Sequence, residues 1–193
     1  AGKSSTLAAL INLINETRRD HILTMEDPVE FVHPFKSSLI NQREVGKHTQ
    51  SFARALRAAL REDPDVIVLG EMRDAETVSL ALTAAETGHV VLATLNATTA
   101  PKAIDRIISS FPAEEQCQVR ESFADSLRLI IAQQLLPAAG GGRLAAYEIL
   151  KGTRAIVNLI RENKTFQIPS MMQIGQAVGM RTFDDSLMEL VRQ

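Results

Sequence analysis

Apolar positions along this chain recur with two different periods, and the alternation between them predicts the fold. Residues 5–14 carry Leu7, Leu10, Ile11 and Ile14 at helical spacing, so a helix is expected to about residue 17. Residues 21–25 read as a buried strand, followed by a Glu26-Asp27-Pro28 turn; residues 29–32 and 39–42 read as short extended pieces. Over 51–61 a helix is predicted, with Phe52, Ala55, Leu56, Ala59 and Leu60 on one stripe and Arg54, Arg57 and Arg61 off it. Asp63-Pro64 stops that helix. The wholly apolar Val66-Ile67-Val68-Leu69, an Ala-rich helix over 74–87, a strand over 89–95 and a helix over 99–110 then repeat one theme. Near-continuous apolar strands separated by amphipathic helices predict an α/β fold, with a mostly parallel sheet covered on both faces.

The texture changes at Pro112. Helical patterns over 114–134, 153–162, 166–177 and 183–191 surround one strand-like stretch, 144–149, and Gly140-Gly141-Gly142 before it is a flexible turn. Residues 1–111 are therefore expected to form the core, and 112–193 a mainly helical C-terminal part of the same domain. No internal repeat or low-complexity tract interrupts this order.

Composition narrows the function classes. At 193 residues with 45% apolar and 23% charged content, one domain with a real core is expected. A formal net charge of −2, with no basic run longer than Arg18-Arg19, argues against nucleic acid or anionic lipid as a partner. The single cysteine, Cys117, excludes an intramolecular disulfide and a four-cysteine zinc site, which fits a reducing cytoplasm. No uninterrupted apolar run reaches the roughly 18 residues of a membrane span, so no direct membrane insertion is expected.

Candidate chemistry sits in four places. Gly2-Lys3-Ser4, with Ser5 behind it, fills the last places of a phosphate-binding loop. There Lys3 would neutralise β/γ-phosphate charge, Ser4 would ligate Mg²⁺, and the following helix would point its N-terminus at the phosphates. Mg²⁺ suits such a place because it keeps several waters and takes few protein ligands. A bare Gly-Lys-Ser also fits a polar chain start. The second place is Glu26-Asp27-Pro28-Val29-Glu30, which sets carboxylates just after a buried strand, where ligands bind in open α/β sheets. One of them facing the γ-phosphate would orient, or take a proton from, the attacking water. An acidic turn closed by Pro28 explains the same residues. The third is Glu71, which follows the strand at 66–69 and can hold the water shell of Mg²⁺; a surface ion pair with Arg73 is the alternative. The fourth is the polar cluster at 94–99, open between γ-phosphate sensing and ordinary strand and turn chemistry.

Taken together these segments resemble one family. Lys3-Ser4, ILTMEDPVEF (22–31), NQREV (41–45), ALREDPDVIVLGEMRD (59–74), LTAAETGH (82–89), IDRII (104–108), FPAEE (111–115) and GGGRLAAYEIL (140–150) are similar to the type IV pilus retraction ATPases of the PilT type, within the secretion ATPase superfamily. The resemblance runs to about residue 162. It implies a RecA-like P-loop NTPase core in a homohexameric ring, cytoplasmic at the inner membrane, binding ATP and Mg²⁺ and acting on the pilus through a platform protein. It makes Lys3 and Ser4 the phosphate-loop pair, Glu30 the catalytic glutamate, Glu71 the strand acid that acts with Mg²⁺, and Glu26, Asp27 and Arg73 supporting groups. His89 matches the first histidine of the family's histidine box.

Two departures stand out. Asn96 replaces the second histidine of that box; it can donate through its NH₂ group but cannot take a positive charge. Val157 stands where the retraction signature carries arginine. These leave two other readings open: a nucleotide-binding or structural ring subunit with impaired turnover, and a pilus-assembly or type II secretion ATPase. The latter commonly carry a four-cysteine zinc module, which one cysteine cannot make. A DNA-translocating enzyme is a distant third.

Overall fold

In the computed structural model, which describes residues 2–192, the chain divides into two compact units, Lys3–Leu95 and a second comprising Gly2 and the residues from Asn96 onward. In the first unit, helix α1 (Lys3–Thr17) leads into β1 (His21–Glu26), β2 (Leu39–Glu44), α2 (Phe52–Ala59), β3 (Val66–Leu69), α3 (Ala75–Glu86) and β4 (Val90–Ala93). The four strands form one fully parallel sheet in the order β2-β1-β3-β4.

Both faces of that sheet are covered, as the unbroken apolar strands require. Side chains alternate across a strand, so Leu23, Met25, Ile67 and Leu69 pack on one face against Phe52, Leu56 and Ala59 of α2 and Ala81 and Ala84 of α3. Ile22, Val66 and Val68 pack on the other, against Ile11 of α1 with Leu7 and Ile14. Helix starts are set by side-chain caps: Ser51 Oγ accepts from the Arg54 N–H at 3.1 Å, and Asp74 Oδ1 from the Thr77 N–H at 2.8 Å.

The second unit contains α4 (Ala100–Ser109), α5 (Gln116–Ser126), β5 (Leu129–Pro137), β6 (Arg143–Lys151), α6 (Arg154–Arg161), α7 (Ile168–Ile174) and α8 (Phe183–Arg192), with short 3₁₀ turns flanking α7. Its core gathers Ile104, Ile107, Phe123, Leu150, Ile156, Ile160, Ile168 and Met172. The helix expected over 114–134 is not continuous. It ends at Ser126, and Leu129–Pro137 pairs as an antiparallel strand with β6, Ile131 opposite Ile149 and Ala132 opposite Glu148. The run Leu129-Ile130-Ile131 has both strand and helix readings on local pattern, and pairing with a partner strand decided between them. The extended piece expected over 29–32 forms no strand, whereas that at 39–42 becomes β2. No helix among the described residues is long and apolar enough to cross a membrane.

Candidate functional site

Parallel pairing brings the carboxyl ends of three strands side by side, with Met25, Leu69 and Ala93 in register across β1, β3 and β4. The next residues, Glu26, Gly70 and Thr94, therefore form a row at one rim. Gly70 N–H donates to the Met25 carbonyl at 2.8 Å. A Cβ on Gly70 would lie 3.2 Å from that same oxygen and 3.3 Å from Glu26 Cα, tighter than side chains usually pack, so any larger residue would push β1 back by a few tenths of an ångström.

Along this rim lies a cavity of about 220 Å³. Lys3 and Ser4 at the start of α1 line it, as do Glu26, Asp27 and Glu30 after β1 and Glu71 and Arg73 after β3. Segments far apart in sequence thus meet in one place, as ligand sites at strand ends do. Gly2, just ahead of α1, has φ +71°, a backbone conformation that favours glycine, and is not among the lining residues.

The acids are held by different partners. Ser4 Oγ donates to Glu30 Oε1 at 2.7 Å. Glu26 Oε1 accepts from Thr24 Oγ1 at 2.6 Å and from Gln42 Nε2 at 3.0 Å. Arg73 Nε donates to Glu71 Oε2 at 2.7 Å, and its Nη1 lies 3.6 Å from Asp27 Oδ2. The hydrogen bond and charge of Glu71, with Asp27 beyond, hold the Arg73 guanidinium above its ordinary pKa. The two readings of Glu71 given by sequence are therefore compatible: it pairs with Arg73 and still faces the cavity. Four carboxylates against the cations Lys3 and Arg73 leave an excess of negative charge here.

Not every residue singled out by sequence reaches the cavity lining. Ser5 is exposed on the outer side of α1. His89 precedes β4, at the amino end of that strand, where Nδ1 lies 2.9 Å from the Ala84 carbonyl and 3.1 Å from Thr87 Oγ1. Asn96 belongs to the second unit, its carbonyl accepting from Arg106 Nη1 at 2.6 Å. Val157 is half-buried on α6.

Sequence reasoning missed Gln42, Thr24 and His33. His33 lines the cavity half-buried, and desolvation holds its imidazole below the ordinary pKa against the opposing pull of Glu26. A periodic pattern gives no signal for these three. Their relevance comes from the parallel register that places Gln42 beside Thr24.

A parallel α/β unit with a lysine and a hydroxyl at a helix start and several acids at the strand ends defines a phosphate-loop type of protein, and its similarity to known proteins agrees. The family described as Type II/IV secretion system protein matches residues 1–141, and this chain belongs to it. It is 61% identical over its whole length to a twitching motility protein of Neisseria gonorrhoeae, covering 52% of that protein. It is also 56% identical, over 99% of its length, to the type IV pilus retraction ATPase PilT of Pseudomonas aeruginosa, of which 56% is covered. Among solved structures, the pilus retraction motor PilT with bound ADP superposes with a TM-score of 0.93 at 54% identity, over all of this chain and 55% of that one. The chain spans about half the length of the curated relatives it matches.

Proposed function

We propose that this chain is the nucleotide-hydrolysing part of an ATPase subunit that works as a homohexameric ring and drives type IV pilus retraction. The carrying observation is the convergence of Lys3, Ser4, Glu30 and Glu71 on one cavity at the carboxyl rim of a parallel sheet. Support comes from relatives named as twitching motility and pilus retraction proteins and from the similarity to an ADP-bound motor.

In this reading Lys3 binds the β/γ-phosphate oxygens as a point charge and the first turn of α1 orients them. Ser4 donates its hydroxyl hydrogen bond to Glu30, which leaves the lone pairs of Oγ for a cation. Phosphates entering a cavity already rich in carboxylate need a positive counter-charge, and the hard oxygens of Ser4 and Glu71 suit Mg²⁺. Among the described residues no three or more His, Cys, Asp or Glu gather into a metal cage, so Mg²⁺ would share its shell with phosphates and waters, Glu71 acting through one of them. Bound there, Mg²⁺ supplies neutralisation of the charge on the transferred phosphoryl group. Glu30 takes a proton from the attacking water as its oxygen bonds the γ-phosphorus and the bond to the bridging oxygen breaks, giving ADP and phosphate. Glu26 and Asp27 order the acidic loop, and Arg73 holds Glu71 and Asp27 together.

His89 and Asn96 lie off the cavity lining, and the resemblance gives them a part in γ-phosphate sensing or in coupling between ring subunits. The partners proposed are five further copies of the subunit and the inner-membrane platform protein of the pilus machine, with the ring on the cytoplasmic side and nucleic acid playing no part.

The deciding experiment is Glu30→Gln in the full-length protein. Turnover is expected to fall by about 10²-fold or more with ATP still bound. Unchanged turnover would refute hydrolysis at this carboxylate, and a wild-type protein that binds ATP without turnover would favour the structural ring-subunit reading.

A further inference from the structure

Gln42 is absent from the roles above, yet its side-chain amide is fully engaged at the base of the loop that carries Glu30. It lies on β2 in register with Thr24 of β1. Nε2 donates to Glu26 Oε1 at 3.0 Å and to the Phe31 carbonyl at 2.8 Å, while Oε1 accepts the His33 N–H at 2.9 Å. Both amide protons and the oxygen are thereby used. Turning the amide over would set its NH₂ against the His33 N–H, and its oxygen against both the Glu26 carboxylate and the Phe31 carbonyl. The network itself therefore fixes which end is which.

The loop needs such a partner. Residues 29–35 lie in neither helix nor strand, so their backbone groups have no ladder to satisfy them. Two positions beyond Gln42 on the same face of β2, Glu44 Oε2 accepts the Val29 N–H at 3.3 Å. Positions 29, 31 and 33 are thus gripped by the edge strand, and Glu30 sits between two gripped positions.

We infer that Gln42 is a positioning residue for ATP hydrolysis, clamping the Glu30 loop to the sheet edge so that this carboxylate keeps its place beside Ser4. The inference rests on the reading of Glu30 as the proton acceptor. A misplacement of about 1 Å costs on the order of 10² in rate, so a clamp on the backbone either side of Glu30 acts on kcat. Nucleotide affinity depends on Lys3 and the start of α1, which Gln42 does not touch.

The test uses the full-length protein with Gln42→Glu, which keeps the shape and the acceptor but loses both donors and faces the Glu26 carboxylate. We expect kcat for ATP to fall about tenfold or more while ATP affinity stays within about threefold. Two carboxyls in contact retain a proton to higher pH, and that proton restores one donor. The ratio of variant to wild-type kcat is therefore expected to rise as the pH is lowered. Gln42→Met, of similar volume but without hydrogen bonds, should lose kcat with no such recovery. Parallel loss of kcat and ATP affinity in both variants would mark a merely structural role and overturn the inference. Normal kcat in Gln42→Glu beside an inactive Glu30→Gln would overturn this inference alone, whereas an active Glu30→Gln would remove the reading on which it rests.

Discussion

Ser4 Oγ donates a 2.7 Å hydrogen bond to Glu30 Oε1, joining the first turn of α1 to a loop 26 positions along the chain. One hydroxyl proton therefore orients the carboxylate proposed to receive the proton of water, and the same hydroxyl oxygen stays available to a cation. Ser4→Ala removes both functions. In the full-length protein it is expected to lower kcat by about 10- to 100-fold and to raise the Mg²⁺ concentration needed for half-maximal activity, read from Mg²⁺ titrations of ATP turnover. Ser4→Thr keeps the hydroxyl and should keep most of the activity. Equal Mg²⁺ dependence in wild type and Ser4→Ala would rule the cation role out.

The far end of the Glu30 loop is anchored in the interior. Asn15 of α1, 0% exposed, donates from Nδ2 to the Pro34 carbonyl at 2.7 Å and accepts the Ser38 N–H at 3.3 Å. Asn15→Ala leaves both backbone groups without their partner, and a loss of about 1–3 kcal/mol in unfolding free energy is expected from urea denaturation. Asn15→Asp keeps the acceptor but loses the donor and buries a charge, so it should destabilise at least as much at neutral pH.

Glu148 on β6 is buried, with Oε1 accepting the Ala100 N–H at the start of α4 at 2.5 Å. Desolvation pushes its carboxyl above the ordinary range, and the Ala100 hydrogen bond only partly opposes this. An acid with a raised folded-state pKa favours folding when protonated, so its contribution is complete below the unfolded pKa and is lost as pH rises through the folded one. Glu148→Gln keeps an oxygen for Ala100 without the charge. The variant is expected to be more stable than wild type at about pH 8, with the advantage shrinking towards about pH 5, as read from urea midpoints. A pH-independent difference would show that Glu148 ionisation is not felt by the fold.

Several elements were legible in the sequence because their determinants are local. Val66–Leu69 announces a doubly covered strand by being apolar at every position, and all four residues are buried. The stripe on α2 likewise identified Phe52, Ala55, Leu56 and Ala59 as core. Acids at strand ends marked Glu26 and Glu71 as rim residues, since a parallel sheet gathers carboxyl ends at one edge. Residues 129–137 were harder: a β-branched apolar run after a helix fits two periods, and only the cross-strand partners at 143–151 settle it.

The sequence by itself determined an alternating α/β chain, which side chains are available for phosphate chemistry, and that those at strand ends would share a rim. The tertiary structure decided strand order and register, and with them the meeting of Ser4 with Glu30, of Arg73 with both Glu71 and Asp27, and of Gln42 with the loop between. Periodicity reports which face of an element is buried, but which neighbour lies across that face depends on contacts between distant segments, and those form only when the chain closes on itself.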